Sequence, residues 1–216
     1  MLFFDTRISL RDRRFLWLEP VCVFMLIMLY IWWLRPAHQN WALSIFALIV
    51  LSHYWHGESV HELGFQSANF GACLRTFLPA LVFISLMLFA LGILLQTLRE
   101  LDMERAIIGF ISYCAWGLFQ QYLLNAFFVN RMLPISSSAH RAASLGAACF
   151  AFVHTPNWFL MAIGLVTGYC CARVWIQYRN LYFLGIAHGA IGSMLYLVVP
   201  DTISHHLVVG PAWFGR

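Results

Sequence analysis

Gln120, Gln121 and Asn125, then His154, then His188, are polar residues set well inside apolar runs. Trp116-Gly117-Leu118-Phe119 leads into the glutamines, Ala148-Cys149-Phe150-Ala151-Phe152-Val153 into the first histidine, and Leu184-Gly185-Ile186-Ala187 into the second. Polar groups at membrane depth are costly, usually face a bundle interior, and mark function. Amides and imidazoles converging from separate helices would form a buried, wet chamber. They could hold one water and the oxygen of a polarised carbonyl, which is what amide hydrolysis demands. The plainer reading is an interhelical network acting as glue, worth about 1 kcal/mol per contact.

Spacing constrains the elements that must carry these groups. Gln121 and Asn125 lie one helical turn apart and would share a face, with Gln120 about 100° round from Gln121. Phe150 precedes His154 by one turn and would pack over it. His188 is followed by Gly189, Gly192 and Ser193, small residues that let a neighbouring helix approach closely.

Of 216 residues, 62% are hydrophobic and 10% charged, with a mean hydropathy of +0.75. A soluble domain carries roughly a quarter charged residues. The expectation is an all-α, polytopic membrane helical bundle of about seven transmembrane helices. They fall near 15–34, 41–54, 78–98, 106–128, 142–155, 157–176 and 181–199, with Pro156 and Pro200 ending the fifth and seventh. The organisation expected is an N-terminal two-helix membrane segment (1–61), a membrane core (62–199) and a C-terminal tail (200–216).

All thirteen basic residues are arginine, and the net charge is +4. They lie between helices, so they carry topology rather than a nucleic-acid surface. No nucleic acid is expected as a partner. Arg7, Arg11, Arg13, Arg14, Arg75, Arg131, Arg141, Arg173 and Arg179 would share the side of the N-terminus, against Arg35, Arg99, Arg105 and Arg216. That bias puts the N-terminus in the cytoplasm, with Arg99 and Arg105 dissenting. The apolar run after the basic 7–14 segment is too long for a signal peptide and reads as a retained first span.

Other chemistries are weaker. Cys22, Cys73, Cys114, Cys149, Cys170 and Cys171 form no C-x-x-C pair and read as small hydrophobes. The cluster His53, His56, Glu58, His61 and Glu62 has ligand chemistry, but in a Gly- and Ser-rich loop it reads as solvated, so no metal and no cofactor are expected. His205-His206 reads as surface. Ser193 sits in no G-x-S-x-G elbow. Glu19 beside Pro20 in the first span suits a proton relay or a place at the interface. Transport competes as a function class, though no half-to-half symmetry is visible.

Three motifs then appear in order: Gln120-Gln121-Tyr122-Leu123-Leu124-Asn125, Phe150-Ala151-Phe152-Val153-His154, and His188-Gly189-Ala190-Ile191-Gly192. Their order resembles the EExxxR, FxxxH, and HxxxN or HxxxB motifs of the CPBP (CAAX protease and bacteriocin-processing, or Abi) family of intramembrane endopeptidases. Glu62-Leu63-Gly64-Phe65, Thr155-Pro156-Asn157 and Arg179-Asn180-Leu181 look similar too, so the resemblance covers about 62–199. It implies an inner-membrane peptidase with catalytic Gln120, Gln121, His154 and His188, supported by Asn125, Phe150 and Gly192. The implied partners are the lipid bilayer and a membrane-anchored peptide or protein substrate.

The departures matter. Glutamine replaces both glutamates, and a neutral amide cannot act as the family's general base. Asn125 stands for the motif's arginine and Gly192 for its asparagine. Either a histidine becomes the base, or the chain is an inactive scaffold or chaperone that keeps the fold.

Overall fold

The computed structural model describes residues 16–100 and 102–215. The basic 7–14 segment, the start of the first expected span, Leu101 in the charged hinge and Arg216 lie outside the described residues. Those described are helical and contain no strand. Helix α1 runs Leu18–Leu29 and continues as a π-helix over Tyr30–Leu34. It is followed by α2 (Trp41–Trp55), α3 (Phe70–Leu94) and α4 (Met103–Gln121). Past Gln121 the chain winds as a π-helix over Tyr122–Val129 and regains α geometry at Asn130–Met132. Then come α5 (Ala139–Phe152), α6 (Trp158–Tyr178), α7 (Leu181–Val198) and the single turn α8 (Asp201–Ser204).

Among the described residues, four segments are long and apolar enough to cross a bilayer: Phe70–Leu94, Met103–Met132, Trp158–Tyr178 and Leu181–Val198. Leu18–Leu34 and Trp41–Trp55 are apolar but shorter. The third helix begins earlier than its apolar run predicts, at Phe70, and carries Pro79 in its interior. A proline is tolerated in such helices because neighbouring groups re-satisfy the freed carbonyl.

The chain divides into two compact units, 1–58 with 124–173 and 209–216, and 59–123 with 174–208. In the second, α4 packs most extensively on α7. Glycines make that approach possible. A Cβ at Gly189 would lie 2.7 Å from Cys114 Cα, and one at Gly185 3.0 Å from Leu118 Cα. Backbone contact of this kind is how membrane helices associate without a hydrophobic driving force. Here too the 62–65 and 179–181 stretches meet. The Leu181 amide donates to the Gly64 carbonyl at 2.9 Å, and Asn180 Nδ2 donates to Gln66 O and Asn69 Oδ1. Asn180 Oδ1 meanwhile caps α7 by accepting from the Phe183 amide.

In the first unit, Phe150 seats on the glycine face of α6, 3.5 Å from a Cβ at Gly164 and 3.2 Å from one at Gly168. Ser138 caps the start of α5 by accepting from the Arg141 amide. All six cysteines are free thiols.

Candidate functional site

In the 59–123/174–208 unit, Gln121 Nε2 lies 3.0 Å from His188 Nδ1. Gly117, one turn before Gln121 on α4, makes the room: a Cβ there would come within 2.9 Å of both the Gly185 carbonyl and His188 Cβ. Gln121 is 1% exposed, while Gln120 and His188 are half-buried. An amide nitrogen only donates, so His188 Nδ1 accepts and the ring proton sits on Nε2. Gly192 faces the Tyr113 ring, its Cβ position 3.0 Å from Cδ1. Ser193 Oγ is buried and makes no hydrogen bond among the described residues, so no base activates it.

In the other unit, His154 stands just past the end of α5, with its Nδ1 2.6 Å from the Phe150 carbonyl oxygen. A carbonyl only accepts, so Nδ1 carries the proton and, in the neutral ring, Nε2 keeps its lone pair. The Phe150 ring packs edge-on at 4.9 Å between centroids. The His154–Asn157 turn is closed by the Asn157 amide donating to His154 O at 2.9 Å. Asn157 is itself fully buried and caps α6 through Leu160. Asn125 is also fully buried. It lies in the Tyr122–Val129 π-turns, which begin directly after Gln121 at the end of α4. Each within its own unit, the two histidines thus hold opposite tautomers, with the ring proton on Nε2 in His188 and on Nδ1 in His154.

A third polar assembly was legible only in fragments. Arg131 is 7% exposed, and its guanidinium grips Glu58 bidentately, Nη1 to Oε1 at 2.9 Å and Nη2 to Oε2 at 2.8 Å. Its Nε lies 3.2 Å from Glu19 Oε2, and Nη2 donates to Ser52 Oγ at 2.9 Å. Ser52 Oγ donates to Glu19 as well. His53 Nδ1 meets Glu58 Oε2 at 2.6 Å, and His56 Nε2 meets Glu19 Oε2 at 3.0 Å. Burial pushes the Glu58 carboxyl up, but the His53 and Arg131 hydrogen bonds and the guanidinium charge outweigh it and hold the pKa at about 2.

This clasp absorbs Glu19, His53, His56 and Glu58. Arg131, read from sequence as a loop charge setting topology, is instead a buried ion-pair centre. The signal that could have found it was a glutamate inside the first span, which calls for a cation from another helix. Among the described residues no group of three or more His, Cys, Asp or Glu could hold a metal ion.

Compared with known proteins, the chain matches no family model, no curated protein and no solved structure.

Proposed function

We propose that this chain is an intramembrane endopeptidase of the CPBP type, with about seven spans in a bacterial-type inner membrane and a cytoplasmic N-terminus. It hydrolyses a peptide bond near the end of a membrane-anchored substrate. What supports the reading is the tautomer each histidine holds within its own unit, with the proton on Nε2 in His188 and on Nδ1 in His154. His154 Nε2, with its lone pair available, takes the proton of the attacking water and returns it to the leaving amine. His188 Nε2–H donates to the carbonyl oxygen as negative charge develops there, an oxyanion-hole role. Gln121 fixes the His188 tautomer and Gln120 orients the water. A histidine base thus replaces the carboxylate that both glutamines lack.

The second reading, a non-hydrolytic scaffold, rests on that same missing carboxylate. The two separate in proteoliposomes carrying peptides with hydrophobic C-terminal anchors. The peptidase reading expects His154→Ala to lower kcat by roughly 10²–10⁴-fold and His188→Ala by roughly 10²–10³-fold. The double variant should lose little more than the worse single one, because both serve one reaction. Gln120→Glu should keep or raise turnover. Cleavage that persists unaltered in both histidine variants overturns the peptidase.

A further inference from the structure

We propose that the Val209–Phe214 segment is a strap that positions the His154 imidazole, with Gly210 as the positioning residue; this rests on the reading of His154 as general base. Three observations within the 1–58/124–173/209–216 unit carry it. The Gly210 amide donates to the Thr155 carbonyl at 2.8 Å, one residue past the histidine. Gly210 has φ +69°, and a Cβ there would lie 2.8 Å from Ile31 Cγ2 and 3.1 Å from the Ile31 carbonyl oxygen. The Phe214 ring lies 6.5 Å from the Trp32 ring, anchoring the far end of the segment to the same helical turn.

A segment that merely trailed away from α8 would have no use for a buried, left-handed glycine wedged against backbone. Gly210 is buried while most of its neighbours are not. The geometry makes sense only if the chain must pass close to Ile31 in order to reach the Thr155 carbonyl.

That carbonyl is where the strap acts. The His154 turn lies beyond the regular hydrogen bonding of α5, where terminal carbonyls lack intrahelical partners. Within it, His154 N bonds to Ala151 O, Thr155 N to Phe152 O, and Asn157 N to His154 O. The Thr155 carbonyl is taken by the strap instead. Losing that bond frees the turn to rotate, and the His154 ring then leaves the Phe150 carbonyl that sets its tautomer. Gly210 and the ring never touch, so the effect passes through Thr155.

The test is Gly210→Ala and Gly210→Val, read by kcat and KM in proteoliposomes and by ¹⁵N NMR of histidine-labelled protein in bicelles. The expected result is a kcat roughly 10–100-fold lower at nearly constant KM, as for a misplaced catalytic group, with a His154 signal that leaves the Nδ1–H tautomer. The His188 signal, with Nδ1 accepting, is expected to stay in place and reports that the rest of the chain is folded. Adding Ile31→Ala to Gly210→Ala opens space for the new methyl and should restore part of both readouts. Phe214→Ala, which loosens only the far anchor, should move them less and in the same direction. A tautomer shift without loss of cleavage would keep the strap and overturn His154 as base. An unshifted His154 signal in Gly210→Val, with the backbone amide at position 210 exchanging faster with solvent than in wild type, would overturn the strap.

Discussion

Gln121 with His188 in one unit, and Arg131 with Glu58 and Glu19 in the other, both put polar side chains where the surroundings are apolar, and they do so by different means. The first is a neutral pair, one amide nitrogen on one ring nitrogen at 3.0 Å, between helices drawn together by Gly117, Gly185 and Gly189. Neutral groups cost less to desolvate than ions do, and the helices are held mainly by backbone packing, with the hydrogen bond fixing a tautomer. The second is a full ionic clasp in which one guanidinium holds two carboxylates and a hydroxyl. Its members are costly to bury singly and tolerable only together. One assembly is therefore suited to chemistry, the other to fastening three chain segments.

Breaking that contrast gives an ordered set of outcomes. Arg131→Met, which strands two carboxylates, should cost the most, about 3–5 kcal/mol of stability in denaturant titration of detergent-solubilised protein. Arg131→Lys should recover part of this, since a point charge cannot reproduce the bidentate fork. Acidification comes next. The Glu58 pKa is depressed from 4.5 to about 2. Its contribution is thus fully present above pH 4.5 and is lost as the pH falls towards 2. Thermal unfolding followed across that window should show the loss in wild type but not in Glu58→Gln. Gly189→Ala should cost about 1–3 kcal/mol by overpacking against the Cys114 backbone, measured by the same titration. Gln121→Leu should cost least, about 1 kcal/mol, yet it should release the His188 tautomer, visible in the ring ¹⁵N shifts. A larger stability loss for Gln121→Leu than for Arg131→Met would reverse the comparison.

How much of this could be read from sequence depended on how local the signal was. The helices were legible because apolar runs and prolines are local: Leu181–Val198 falls where the run ends at Pro200, and Trp158–Tyr178 starts just past Pro156. The start of α3 was not, because Phe70–Phe77 mixes Arg75 and Thr76 into the apolar sequence, and both bond back to carbonyls one turn earlier. His154 and His188 stood out as lone polar residues in apolar runs, and the side-chain type alone made them candidates. Their tautomers did not stand out, since each is set by one partner atom that only the fold supplies. The clasp was missed for the same reason. Glu19, Glu58 and Arg131 come from separate stretches of chain, and no spacing rule links them. Likewise no local pattern sets Gly210 apart, because the groups that constrain it, Ile31 and Thr155, are distant along the chain.

The order of the clasp's members along the chain bears on biogenesis. Glu19 and Glu58 leave the ribosome before Arg131 does, so the acceptors are already in place when the guanidinium reaches the translocon. The sequence could not run the other way as safely. A carboxyl group waiting in a forming helix hairpin is able to take up a proton and stay neutral, whereas arginine has no uncharged form to wait in. A permuted gene that delivered Arg131 first would ask the insertion machinery to hold a naked cation in oil, and a delay in membrane integration of that helix is the result to expect.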